Sequence, residues 1–146
     1  MTPFPHRYTV ALANRQLVAP PREPIAAGTP PQFGGSDRVW SPEELLVAAA
    51  LECLWTTFEA YARRDGLAVA DWSGTGVAIL DRGPRGPVFT SIVLGVDIEV
   101  GAGDEERARR LLEKAEQGCI IANALNVPIQ VDVSITTRPS QLASVS

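Results

Sequence analysis

Cys53 and Cys119 are the only two thiols in the chain, and His6 is its only histidine. Covalent catalysis by these side chains is therefore cysteine chemistry that works without a neighbouring imidazole. That points to thiol redox work and away from hydrolysis. An acyl-transfer cysteine enzyme needs a histidine beside its thiol, and His6 stands in a proline-flanked terminus. Two cysteines and one histidine are also too few for a closed zinc site within one chain. Cys53 lies in an apolar run over residues 45–55. It reads either as a packed core thiol, inert with a raised pKa, or as a nucleophile held ionised by a cation. With no usable histidine, that cation is an arginine. Cys119 follows Gly118 and opens a short helix over residues 120–125, where unpaired amides and the helix dipole favour an anion. On position alone Cys119 is the more acidic thiol, although it too reads as a packed residue at a helix start.

The chain of 146 residues fits one domain with a real core. Hydrophobic residues make up 45% and charged residues 21%, the balance of an ordinary globular protein. A net charge of −4 and a pI near 5.0 argue against a nucleic-acid partner. No run reaches the roughly 18 consecutive apolar residues of a membrane span. The start, Met1-Thr2-Pro3-Phe4-Pro5-His6-Arg7, has no basic stretch leading into an apolar one, so a cytoplasmic protein is expected. In that reducing compartment two cysteines read as a redox or catalytic pair rather than a structural staple.

The elements that must position the thiols are legible in outline. Residues 8–13 form a candidate strand, and a second follows Arg15. Residues 20–35 carry five prolines and three glycines and read as an irregular loop with brief extended pieces. Ser41, Pro42 and Glu44 make a capping box that starts a long helix over residues 41–66, with Gly66 as its stop. Residues 45–51 of that helix are apolar on every side, which calls for burial on every side and hence for a partner subunit. Two strands of a hairpin follow within residues 69–100, at 69–80 and 88–100. Helices occupy 104–125, with Asp104 as cap and a break at Gly118, and a last strand spans 129–135.

Two segments carry a family resemblance. The first is Phe33-Gly34-Gly35, followed by Ser41-Pro42-Glu43-Glu44-Leu45-Leu46-Val47-Ala48-Ala49-Ala50-Leu51-Glu52-Cys53. The second is Gly118-Cys119-Ile120-Ile121-Ala122-Asn123-Ala124-Leu125. In order and in the strand pair between them, these resemble the OsmC/Ohr family of osmotically inducible and organic-hydroperoxide-resistance proteins, over residues 33–133. The resemblance implies an α+β fold built as an intertwined homodimer, with two long central helices wrapped by antiparallel β-sheets. It implies a thiol-dependent peroxidase of the stress response; no cofactor, metal, nucleic acid or membrane is expected. Its substrate would be an organic or lipid hydroperoxide, and its reductant an external dithiol of lipoyl or thioredoxin type. Cys53 matches the peroxidatic cysteine and Cys119 the resolving one. Glu43 matches the glutamate that pairs with a catalytic arginine, for which Arg15 is the best match and Arg22 the runner-up.

Glu43 and Cys53 are ten residues apart, roughly 15 Å along one helix. One arginine does not easily touch both within a subunit. Either the partner chain supplies the Glu43–Arg15 pair or the roles are not shared at one site; the first agrees with the need for a dimer. Apolar Leu54, Trp55 and Phe89 would favour organic peroxides if they line the site, and read singly as core packing. The chain departs from the family pattern at Glu52, a carboxylate beside Cys53, and at Ile120, where proline is common. A redox-responsive or small-ligand-binding dimer with little turnover is the alternative, and a fold whose cysteines only pack is the third reading.

Overall fold

The computed structural model describes residues 3–139. The chain divides into two compact units, Met1–Leu46 and Val47–Ser146.

The first unit holds a small antiparallel sheet of β1 (Ala11–Ala13), β2 (Gln16–Val18) and β3 (Ile25–Ala26). The strand expected over residues 8–13 is confined to its last three. The β1–β2 connection is two residues long, Asn14 and Arg15, with φ of 52° and 62°. Positive φ at both central positions is the type I′ turn that matches the twist of a hairpin. The proline-rich stretch contains only β3 and one 3₁₀ turn, Pro31–Phe33. Gly34 closes that turn at φ 82°, and a Cβ on Gly35 would stand 1.7 Å from the Thr29 carbonyl oxygen. No side chain fits there.

Helix α1 (Pro42–Asp65) starts with the expected capping box: Ser41 Oγ accepts from the Glu44 amide at 3.1 Å, and Glu44 Oε2 accepts from the Ser41 amide at 2.9 Å. Gly66, at φ 71°, ends it, with the Leu67 amide reaching back to the Ala62 carbonyl at 2.8 Å.

In the second unit β4 (Val69–Gly83) and β5 (Gly86–Gly101) form a long antiparallel hairpin, and β6 (Ile129–Arg138) adds to β5 in parallel. The sheet is therefore mixed, where antiparallel sheets were expected. The reason is the crossover: α2 (Glu105–Gly118) and α3 (Ile120–Ala124) carry the chain from one end of β5 back to the other, which no tight turn does. Asp104 stands at the start of α2 but makes no side-chain cap; its carboxylate turns to Arg107 at 3.5 Å.

The alternating residues Ile92, Leu94, Val96, Ile98 and Val100 of β5 are all buried, as their period of two requires. They form one core with Ala50, Leu54, Phe58 and Ala62 of α1 and Ala108, Leu112 and Ala115 of α2. The helix sits close to β4 because the strand offers glycine there. A Cβ on Gly76 would lie 2.5 Å from Val47 Cγ1, and one on Gly74 3.0 Å from Leu51 Cδ1. By length and mean hydropathy (1.3 over its most apolar window) α1 could cross a membrane, yet its Ala50–Leu54–Phe58 stripe packs into this core. Only 22% of that window is buried by the chain itself.

Candidate active site

Three contacts fix α2 beside α1. Arg107 near the start of α2 pairs with Asp65 at the end of α1, Nε to Oδ2 at 2.5 Å, and also donates to the Asp65 carbonyl. Lys114 lies over the Tyr61 ring, 4.9 Å from its centroid. Gly118, at the end of α2, faces Thr57 and Tyr61, whose atoms would lie 3.7 and 3.0 Å from a Cβ placed on it. Taken in order, Asp65, Tyr61 and Thr57 step backwards along α1 as Arg107, Lys114 and Gly118 step forwards along α2, so the helices run antiparallel. The next pair in that series is Cys53 and Cys119.

Cys53 projects from the same face of α1 as Thr57 and Tyr61, at spacings of four. It is half-buried, with its sulfur 4.0 Å from Thr57 Oγ1. Cys119 is 2% exposed and extended (φ −68°, ψ 110°), a one-residue link between α2 and α3. Its carbonyl accepts from Asn123 at 3.0 Å, starting α3. Both thiols are free.

Burial acts first on Cys53 and pushes its thiol up. Against it, the neighbouring Ile121 amide, Cys119 thiol, Thr57 hydroxyl and Ile120 amide favour the thiolate, and together they carry its pKa below the ordinary thiol value. Burial also leads at Cys119, and there it prevails. The Ala122 and Ile121 amides pull that pKa down, but the Cys53 sulfur raises it both as acceptor and as charge. The acidity expected from position is thus reversed. The amides at the start of α3 act on both thiols, and what separates the two is burial and the Cys53 sulfur, which raise Cys119. Helix position alone missed this because it ignores what packs opposite the turn. Thr57 was missed too; its signal is a hydroxyl one helical turn beyond a cysteine.

Arg15 and Glu43 belong to the first unit, and the two cysteines to the second. Arg15 is exposed at the hairpin tip and makes no ion pair among the described residues. Arg22 is exposed and donates to the Ala19 carbonyl at 3.4 Å. Glu43 Oε2 is buried without a hydrogen-bond partner among the described residues. A single chain therefore does not form the Glu43–Arg15 pair. Glu52 is exposed and lines a groove of about 510 Å³ with Leu51, Trp55, Asp71 and Trp72, away from either cysteine. Leu54 is 2% exposed within the core, and Trp55 packs on Trp72 with ring centroids 4.8 Å apart. Core packing accounts for both. Among the described residues no three His, Cys, Asp or Glu side chains gather into a metal site.

The arrangement is that of a half-buried thiol with a lowered pKa beside a buried thiol with a raised one. Comparison with known proteins agrees in fold. A solved OsmC-like protein of unknown function from Vibrio cholerae superposes with a TM-score of 0.74 over 82% of each chain at 20% identity. An organic hydroperoxide resistance protein of Legionella pneumophila does so with 0.69, over 90% of this chain and 99% of that one, at 21% identity. In sequence, the uncharacterized protein YmaD of Bacillus subtilis is 30% identical over 118 residues, 73% of this chain and 75% of that protein. The family model for OsmC-like protein matches residues 34–134, a span that includes both cysteines and Glu43. The chain belongs to the OsmC-like protein family.

Proposed function

We propose that the protein is a cysteine-based peroxidase that reduces organic hydroperoxides, with Cys53 as nucleophile and Cys119 as resolving thiol. The observation that carries this reading is the paired thiols of opposite pKa shift, Cys53 lowered and Cys119 raised. The Cys53 thiolate attacks the terminal peroxide oxygen: an S–O bond forms, the O–O bond breaks, and the alkoxide takes a proton and leaves as the alcohol. The Cys119 sulfur then attacks the sulfenic acid, water departs, and a disulfide remains. An external dithiol, of lipoyl or thioredoxin type, takes up the oxidation and restores both thiols.

The protein acts as a homodimer in this reading. Support comes from α1, an apolar helix the chain leaves largely uncovered, and from Glu43, a buried carboxylate oxygen without a donor. Arg15 of one subunit pairs with Glu43, and the guanidinium is presented to the thiolate and the peroxide. Arg15 is favoured over Arg22 by its backbone. It holds φ 62° at the turn position where glycine is the easy residue, and such strain persists where a side chain is needed.

The test is consumption of cumene hydroperoxide with dihydrolipoamide in excess. Steady turnover that vanishes in Cys53→Ser supports the reading; turnover indifferent to that change, or none at all, sinks it. One observation favours the second reading, a redox-responsive dimer. Cys119 is 2% exposed, which slows an external dithiol. That protein would consume one equivalent of peroxide, form the disulfide and stop.

A further inference from the structure

We propose that Thr57 belongs to the thiol chemistry: its hydroxyl donates a hydrogen bond to the Cys53 sulfur and holds it as the ionised nucleophile. Thr57 follows Cys53 by one helical turn on the same face, with Oγ1 and Sγ 4.0 Å apart, within reach of the large sulfur atom. Either atom of a thiol–hydroxyl pair can donate. A thiolate has no proton to give, so once Cys53 ionises the hydroxyl is the donor.

The neighbouring threonine shows that this orientation is not the default. Ser and Thr hydroxyls within helices ordinarily bond back to carbonyls three or four residues earlier. Thr56 does so, to the Glu52 carbonyl at 3.0 Å and the Cys53 carbonyl at 3.2 Å. Thr57 makes no such bond among the described residues and turns its hydroxyl to the sulfur instead. What holds it there is packing. Its methyl, Cγ2, rests where Gly118 has no side chain, 3.7 Å from the position a Cβ would take. A β-branched side chain has a stiff χ1, so seating the methyl on Gly118 aims the hydroxyl at Cys53. The Thr57 hydroxyl is also one of the groups that lower the Cys53 pKa. One residue thus couples the thiolate to the turn that carries Cys119.

The proposal rests on Cys53 being the nucleophile of the proposed peroxidase, but its test needs no peroxide. Thr57→Val keeps the shape and removes the donor. With iodoacetamide at pH 6.5, alkylation of Cys53, followed on its peptide by mass spectrometry, slows about three- to tenfold, as for the loss of a hydrogen bond to a charged group. The two rates converge at alkaline pH, where both thiols are ionised. Thr57→Ser keeps the donor but not the methyl that aims it, and falls between the wild type and Thr57→Val; Thr56→Val keeps the wild-type rate. Wild-type kinetics in Thr57→Val would overturn the proposal. So would Thr56→Val slowing alkylation as much as Thr57→Val, which would assign the effect to the helix rather than to the Thr57 hydroxyl. If the wild type shows no hydroperoxide turnover while Thr57→Val still slows alkylation, the peroxidase reading fails and the hydrogen bond stands.

Discussion

The Cys53 and Cys119 thiols act on each other with opposite results: each is among the groups that shift the other, and the Cys53 pKa is lowered while that of Cys119 is raised. Their surroundings differ in the same sense. Cys53 is half-buried and open to a small reagent, whereas Cys119 is 2% exposed and holds its proton more tightly. An attacking sulfur and a resolving sulfur need those opposite properties. The fold supplies them by laying the α2–α3 turn across the face of α1 that carries Cys53, Thr57 and Tyr61.

Cys119→Ala removes both a donor to the Cys53 thiolate and the resolving sulfur. Loss of the donor raises the Cys53 pKa, so its thiolate fraction falls at pH 6.5 and is unchanged well above the thiol range. Alkylation of Cys53 at pH 6.5 should slow about three- to tenfold. After one equivalent of cumene hydroperoxide the sulfenic acid should persist and react with dimedone, where the wild type forms a disulfide. Equal alkylation rates at pH 6.5 would show that Cys119 does not donate to Cys53.

Arg15 occupies a left-handed turn position that glycine takes without strain. Arg15→Gly should therefore raise Tm, by about 2 °C, because the turn is relaxed. In the same variant turnover should fall about 10²- to 10³-fold, the scale of losing one preorganised donor at a reacting oxygen. Arg22→Ala should change neither. A stabilised Arg15→Gly enzyme with full turnover would remove Arg15 from the site.

Much of this was legible in the chain, and the failures have physical causes. The capping box at Ser41 and the stop at Gly66 are local chemistry, and both stand where sequence placed them. The alternation from Ile92 to Val100 is a period-two signal strong enough to survive. The parallel pairing of β5 with β6 was not legible, because register between distant strands depends on the α2–α3 crossover. The order of thiol acidity was inverted for a related reason. Helix position locates the amides of Ile120 and Ile121 but not the atom they meet, and that atom lies sixty-odd residues earlier on α1. Arg15 and Glu43 make no ion pair among the described residues, and Glu43 Oε2 is buried there without a hydrogen-bond partner.

The largely uncovered α1 makes assembly testable. The protein should have a solution mass of about twice its 15.6 kDa by light scattering. Ala48 is half-buried on the apolar stretch before Glu52, and Ala48→Glu would place two carboxylates one turn apart on it. That variant should run as a monomer at micromolar concentration. Its Cys53 should alkylate more slowly at pH 6.5 than in the dimer, because the groups of its own chain still lower its pKa but the guanidinium presented across the interface is gone. Turnover should drop, because the guanidinium is lost. A wild type of monomer mass with full turnover would contradict the shared site.

Gly76 tests whether the placement of α1 on the sheet sets the thiol pair. A Cβ at that position would stand 2.5 Å from Val47 Cγ1 and 3.3 Å from Leu94 Cδ2, so Gly76→Ala must push the helix or the strand aside. Overpacking of this kind costs about 1–3 kcal/mol, a fall in Tm of several degrees. Val47→Ala in the same chain should recover most of the loss, because it removes the methyl the new Cβ meets. Gly74→Ala should be milder, since its nearest neighbours, Leu51 Cδ1 at 3.0 Å and the Gly95 carbonyl oxygen at 3.1 Å, stand farther off than Val47 does from Gly76. Val47 lies six residues before Cys53 on one rigid helix, so a shift at Gly76 also moves the sulfur relative to the α2–α3 turn. Disulfide formation in Gly76→Ala should therefore slow together with the loss of stability and return with Val47→Ala. Full stability in Gly76→Ala would mean that the helix does not approach β4 this closely.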